Sequence, residues 1–522
     1  MEMPISAGQP WWVFFKDKGP TALQKPVVLS SETWRRLNLR GRTNPWLDIP
    51  VYQNYLDSLR DLKFTIRTTS RWLNAASVEV PALASTLTLA ALSFVKDIRP
   101  LARGLRHERL PVDESLWKST AGHYGESLLQ NELLNLPVLH TEGWNGAGVI
   151  IAIFDAGFTY ANNPVFSSLL VDKTYDFVAR EITVDGSYSS HGTACLGLIG
   201  GYLPNYFIGA AYQARFLLAR TEDATSETPA EEDNWVAALE WADANGADII
   251  SSSLVYRDFD PPANSYPPSA MDGQTAVITI ATDTAATRGI LVVNAMGNEG
   301  PDSLSLWAPA DGRHVLSVGA INAGGLITSF SSRGPTADGR IKPEVVTLGE
   351  QVYLPKETSG FQRGDGTSFA TPMIAGAAAL VLQSNPHLTP DSVIALFRSA
   401  GDQFSAPNIT YGWGVPNVKS IVNLVGPGEP LAGKPFVAPN PIQSGYFDFY
   451  LGKNRAADTD KYKIYNLLGQ LVAQGNIELI SPGHTRIKNT FNLPSGIYFI
   501  QVRTKTEAFN AKFLSLRNKR LN

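Results

Sequence analysis

GVIIAIFDAGF, Gly148 to Phe158, is a run of apolar residues that stops on an acid, followed at once by a small residue and a glycine. A strand apolar on both faces belongs in a sheet covered from both sides, which in practice means a parallel one. Short buried runs of this kind recur at Phe216 to Ala219, Ile249 to Leu254, Ile290 to Asn294 and Val315 to Val318. Helical stretches lie between several of them: Asn234 to Ala244, with Trp235, Leu239 and Trp241 near one face, and Thr275 to Thr287. The alternation predicts an α/β fold, a parallel sheet with helices on both faces. In such sheets the chemistry sits beyond the carboxyl ends of the strands.

Working outward, 522 residues suggest three or four domains at about 150 residues each. Residues 1–118 hold six of the eleven Trp in a mixed pattern, with helical faces at Trp34 to Leu37 and Tyr52 to Arg60 and strands at Val78 to Val80 and Phe94 to Ile98; this predicts a small α+β domain. It closes on a charged stretch, RGLRHERLPVDE, that reads as exposed and cleavable. The α/β domain spans residues 119–425, and a Gly- and Pro-rich linker covers 426–436. Residues 437–522 read as all-β, with a turn at Gly469-Gln470 and a late strand opened by Pro494-Ser495-Gly496.

Composition removes several classes of function. With 44 Lys plus Arg against 48 Asp plus Glu, the net charge of -4 gives no basis for nucleic acid or an anionic membrane as partner. A single cysteine, Cys195, excludes an internal disulfide and a cysteine-based zinc site. The longest mostly apolar stretch, Ala82 to Val95, is too short and too polar for a transmembrane segment. The opening MEMPISAGQPWWVFFKDKG lacks the pattern of a secretory signal.

Four residues stand where chemistry is expected. Asp155 ends the opening run, though alone it reads equally well as a turn-forming cap. His191 begins HGTACLGLIGG, a helix of small residues that can press against a neighbouring backbone, whereas His140 and His314 have structural surroundings. Ser368, in GDGTSFATPMIAGAAALVLQ, opens an Ala-rich helix with Pro372 expected in its first turn; alone it reads as an N-cap. Asn298, in NAMGNEG, follows a buried strand in a glycine turn that would aim its amide into the crevice. The order Asp155, His191, Ser368 is one of the known orders of a Ser-His-Asp triad. A serine esterase of the α/β-hydrolase type would need G-x-S-x-G and a different order, and H-E-x-x-H, P-loop and dinucleotide patterns are absent.

Through DAG, HGT, GN and GTSFATP, together with YGESLLQNELLNLPVLHTEGWNGAGV, residues 119–425 resemble the subtilases, the subtilisin-like serine proteases. The resemblance implies a serine endopeptidase working through an acyl-enzyme. Ser368 would be the nucleophile, His191 the general base, Asp155 its orienting partner, and Asn298 an oxyanion donor with the backbone N–H of Ser368. Ser253-Leu254-Val255 resembles the strand that lines the substrate backbone, and the resemblance implies that Gly297 also binds substrate; Val255 stands where glycine is usual, which implies a pocket favouring small or medium side chains. Other departures, Ala156, Phe369, Ala194 and Cys195, supply no reacting group, and Cys195 reads as a small buried helix residue. The acidic run from Glu222 to Asp233 would lie near the outer substrate edge, or face the positive end of the helix starting near Asn234. No cofactor is required by this chemistry; structural calcium is common in the family, with loop acids such as Asp272 as candidate ligands, and no spacing identifies a metal site.

The flanking zones extend the resemblance. Residues 1–118 occupy the place of a subtilase prodomain, and Val51 to Leu101 is similar to the small inhibitor-like type; this implies a zymogen with its own prodomain as intramolecular inhibitor, cut between about Arg109 and His123. The C-terminal zone, through APNP, YKIYNLLGQLV, LPSGIYFIQVRT and KFLSL, resembles the type A sorting domain of the type IX secretion system of Bacteroidetes. That implies secretion or display at the outer cell surface, the secretion machinery as a partner, proteins or peptides as substrates, and a signal peptide upstream of this sequence.

Overall fold

The structure, a computed structural model, describes residues 9–20, 24–80, 84–100, 122–186, 190–223, 230–257 and 265–425, and short pieces from 436 to 515. The boundary at 118/119, the cleavable stretch and most of the 426–436 linker lie outside the described residues.

The N-terminal unit is a four-stranded antiparallel sheet of β1 (Gln9–Phe15), β2 (Thr65–Ser70), β3 (Ala75–Val80) and β4 (Val95–Pro100), in the order β2-β3-β1-β4. Its longer helices among the described residues are α1 (Ser31–Leu39), α2 (Gln53–Asp61) and α3 (Ala84–Ala91). Strand periodicity sets the two faces. Val13 and Phe15 of β1, with Val78 and Val80 of β3, join Leu56, Leu59 and Leu89 in the unit's own core. Trp12 and Ala75 point the other way, into the core of the next domain. The inhibitor-like unit therefore does not begin at Val51. Its middle strand is β1, paired from Gln9 with Val80, and a long insertion carrying α1 separates that strand from α2.

The α/β domain has a seven-stranded sheet in which every paired neighbour is parallel, as expected. Its strands are β5 (Ile150–Asp155), β6 (Leu170–Asp176), β7 (Arg215–Arg220), β8 (Ile249–Ser252), β9 (Leu291–Ala295), β10 (Val315–Ile321) and β11 (Val345–Leu348), in the order β11-β10-β9-β8-β5-β7-β6. Alternation along β5 explains the helices on both sides. Ile151 and Ile153 pack with α4 (Ser190–Gly200) and α7 (Thr367–Ser384). Ile150, Ala152 and Phe154 pack with α5 (Ala230–Ala244) and α6 (Val277–Thr287). The chain builds β5, β6 and β7 on one side and then crosses to β8 on the other, so the reversal flanks β5. A crevice opens beyond the strand ends at such a reversal.

Two expectations are corrected. Helix α5 starts at Ala230, so Glu231, Glu232 and Asp233 form its first turn and do not precede it. Pro372 is the sixth residue of α7, beyond the first turn. The C-terminal zone is all-β, with two four-stranded antiparallel sheets between Phe436 and Ser515. Among the described residues no helix is long and apolar enough to cross a membrane.

Candidate active site

Asp155 is the last residue of β5 and has no exposed surface. Its backbone carbonyl accepts the N–H of Thr221, and its Oδ1 accepts the N–H of Ala156 at 2.8 Å. Both carboxylate oxygens lie 2.9 Å from Nδ1 of His191. A carboxylate only accepts, so the Nδ1 proton points at Asp155 and Nε2 is left as the basic nitrogen. Helix α4 delivers the imidazole because Gly192 lets it close on the strand end: a Cβ there would sit 2.2 Å from the carbonyl oxygen of Gly157. No other residue type fits that approach.

Ser368 is the second residue of α7. Its Oγ lies 3.4 Å from the backbone oxygen of Ser253, the residue just past β8. Pro372 brings no N–H to the carbonyl four residues before it, which belongs to Ser368. That carbonyl accepts from Ser253 Oγ at 2.8 Å and from Cys195 Sγ at 3.5 Å. The Cys195 thiol, one turn beyond His191, also lies 3.9 Å from His191 Nδ1 and 3.6 Å from Ser253 Oγ. It is buried as expected, and burial pushes its pKa up. Its place between α4 and α7, hydrogen-bonded to the carbonyl of Ser368, was not expected. The signal was available in the sequence, since proline four residues after Ser368 leaves an acceptor that something must satisfy.

Asn298 follows β9 in the glycine turn. Its Oδ1 accepts the backbone N–H of Thr367 at 2.9 Å and the Thr367 hydroxyl at 3.0 Å. A backbone N–H can only donate, so the amide is oriented with oxygen toward Thr367 and Nδ2 on the side of Gly366. Gly297 has φ +103°, and a Cβ would meet Ser332 Oγ at 2.9 Å. Leu254 is buried and its carbonyl accepts from Asn294 Nδ2, whereas Val255 is half-buried. The structure therefore brings Asp155, His191, Cys195, Ser253 and Ser368 into contact, and holds Asn298 against the start of the Ser368 helix.

The remaining candidates fall away from this cluster. His140 lies between the Tyr124 hydroxyl and the carbonyl of Ala210, where burial lowers its pKa to about 4, and His314 pairs with Asp391. Asp272 accepts from Gln274 N and Thr275 N through one oxygen and from the Thr275 hydroxyl through the other, so it caps its own turn. Among the described residues, the one group of three acids, histidines or cysteines with ligand atoms within 4.8 Å is Asp155, His191 and Cys195. Of the acidic run, Glu222, Glu231, Glu232 and Asp233 are buried, and Asp233 accepts from Arg67 and Ser77 of the N-terminal unit; Glu227 lies outside the described residues.

Three family patterns match the chain: "Subtilase family" over residues 146–414, "Peptidase S8 propeptide domain, Bacteroidota" over residues 10–113, and "Secretion system C-terminal sorting domain" over residues 437–515. Subtilisin E of Bacillus subtilis (strain 168) is 32% identical over 292 residues, covering 55% of this chain and 69% of that protein. Subtilisin of Bacillus pumilus is 31% identical over 292 residues, covering 55% of this chain and 95% of its own length. Serine protease AprX of Bacillus subtilis (strain 168) is 38% identical over 165 residues, 27% of this chain and 37% of that one.

Proposed function

The chain belongs to the subtilase family and is a serine endopeptidase with a propeptide domain before the peptidase domain and a secretion-sorting domain after it; from that premise we propose that it hydrolyses peptide bonds through Ser368, His191 and Asp155. The observation that carries the reading is the Asp155–His191 contact, which holds the imidazole with Nε2 available as base. Ser368 Oγ attacks the scissile carbonyl as His191 Nε2 takes its proton. The imidazolium that forms is stabilised by the buried Asp155 carboxylate and then protonates the leaving amine. Water repeats the sequence on the acyl-enzyme.

The developing oxyanion takes hydrogen bonds from Asn298 Nδ2 and the Ser368 backbone N–H, at the amino end of α7, where the helix dipole favours negative charge. Substrate backbone lies along Ser253, Leu254 and Val255, opposite Gly297, and the Val255 side chain favours small or medium residues before the cut. The domain limits are 1–118, 119–425 and 437–522, with the cut between about Arg109 and His123. Export runs through the type IX system by way of the C-terminal sheets, and substrates are proteins or peptides.

The test compares wild type with Ser368→Ala by casein turnover, intact mass and labelling with a serine-directed phosphonate. Wild type digests casein, takes the label on Ser368 and loses its amino-terminal piece, and the variant does none of these. A folded wild type that stays inert and unlabelled overturns the reading.

A further inference from the structure

The described contacts of the insertion between β1 and α2 lie away from the strand ends that carry Asp155 and Ser253. The insertion wraps the opposite end of the sheet, where β8 and β9 begin and α5 and α6 end. Helices leave their last carbonyls without partners and carry a partial negative charge there. The insertion meets both needs. Thr33 Oγ1 donates to Asp243 O at 2.6 Å, Ser30 N to Ala244 O at 3.0 Å, and Arg42 N to Thr287 O at 2.9 Å. Arg36 Nε donates to Arg288 O at 3.0 Å, and another of its nitrogens donates to Ala247 O. Arg40 donates to Gly289 O at 3.0 Å and Pro386 O at 2.9 Å.

Two carboxylates complete the arrangement. Asp243 takes Arg36 and Arg71 from the N-terminal unit, besides Arg288 of its own domain, and Asp248 takes Arg35 and Arg40. Arg36 and Asp243 are wholly buried. The backbones also fit closely. A Cβ on Gly246 would lie 2.3 Å from Glu32 Cβ, and one on Gly289 would lie 2.9 Å from the N of Gly41. Both glycines end their helices with positive φ, and their missing side chains leave room for the insertion.

We infer that the peptidase domain carries a guanidinium-binding socket at the end of its sheet remote from Ser368, and that its partner is the N-terminal domain of this chain as a separate polypeptide, anchored by Arg36 and Arg40. The inference rests on the N-terminal domain being a propeptide, and it goes beyond inhibition at the cleft. The anchor lies across the sheet from the site where inhibition acts, so cutting the connection at 101–121 leaves every contact named above in place. Holding the fragment and blocking the cleft are separate tasks of separate surfaces.

The test uses the full chain with Ser368→Ala, which prevents self-cutting, and a recognition sequence for a foreign protease placed within residues 101–121. After cutting, the wild-type anchor keeps the N-terminal fragment bound through gel filtration. Arg36→Met with Arg40→Met speeds its release at least tenfold, measured by surface-immobilised dissociation, with near-ultraviolet dichroism of the uncut chains as the control for folding. Release of the two fragments at equal rates, or loss of the wild-type fragment on the column, overturns the inference. Should the double variant fail to fold, hydrogen exchange on the cut wild type decides: the amides of Ser30 and Arg42 stay protected in the complex, and exchange at free-peptide rates overturns it. The peptidase is inert throughout, so failure here is distinct from failure of the catalytic reading.

Discussion

At the scale of the residue, Pro372 and Ser253 form a pair that neither makes sense of alone. The proline removes a donor from the carbonyl of Ser368, and the Ser253 hydroxyl supplies one from 2.8 Å away. Ser253→Ala is expected to lower kcat about tenfold with little change in KM, the size of one net hydrogen bond of about 1.4 kcal/mol. Adding Pro372→Ala returns an N–H to the helix and recovers most of that loss. Steady-state kinetics of the two single variants and the double variant check this, and a double variant no better than Ser253→Ala refutes it. Asn298→Asp keeps the acceptor for Thr367 and removes the amide donor. In subtilisin itself, loss of the corresponding donor costs about 10²–10³ in kcat, and the same order is expected here with KM nearly unchanged. The placement of Asp155, His191, Asn298 and Ser368 at strand ends and helix starts was legible because each follows a buried run or opens a small-residue helix. The partner of the Ser368 carbonyl was not: Pro372 signals an acceptor left to be filled, but that Ser253 fills it follows from how α7 packs on the end of β8.

At the scale of the element, α5 is gripped along its whole length by the N-terminal domain. Arg67 and Ser77 bind Asp233 in its first turn, Ser70 and Arg71 bind Glu240 in the middle, and Thr33 and Arg36 bind Asp243 at its end. Burial is the largest cause that raises Glu232 to a pKa of about 8 and Asp233 to about 6, despite the Arg67 pair on the latter. A carboxyl group whose pKa is higher folded than unfolded favours the folded state while protonated. Its contribution is complete below the unfolded value of 4.5 for Glu232 and is lost as pH rises through about 8. Urea midpoints of the uncut chain are expected to fall from pH 5 to pH 9, and Glu232→Gln is expected to flatten that slope; a slope unchanged by the substitution removes Glu232 as its source. The element types were legible here, from the Trp235 and Leu239 face for example. The start of α5 was not, because its first turn holds acids whose partners are distant in sequence: Asp233 is held by Arg67 and Ser77, more than 150 residues earlier, and Glu232 by Tyr266. For the same reason α1 read as a helix face from Trp34 to Leu37, while Arg288 and Gly289, partners of Arg36 and Arg40, lie about 250 residues away and left no trace in the local pattern.

At the scale of the whole molecule, two domains share one core. Trp12 and Trp72 of the N-terminal unit are buried with Trp235, Leu239 and Ala242 of α5. Trp72→Ala is expected to cost about 3–5 kcal/mol in the uncut chain, as for other large core truncations, and to leave turnover by an already processed peptidase domain unchanged. Denaturant unfolding of the Ser368→Ala chain and casein assays on processed enzyme measure the two halves of this prediction. The three-part organisation could be read from texture alone, since alternating helix and strand give way to hairpin patterns near residue 437. The limits of the first part could not, because β1 pairs with a strand more than 60 residues further on.

That pairing has a consequence for how the molecule is switched. In the order β2-β3-β1-β4, the strand joined to its neighbours by the longest stretches of chain is an inner one. A single nick between residues 16 and 29 separates that inner strand from the anchor at Arg36 and Arg40 and turns it into a detachable peptide, and its departure divides the sheet in two. Disarming such a domain takes one event per molecule, with no stepwise fraying from an edge. A population then passes from silent to active with first-order timing and no lag, at a rate set by whichever protease makes that one cut.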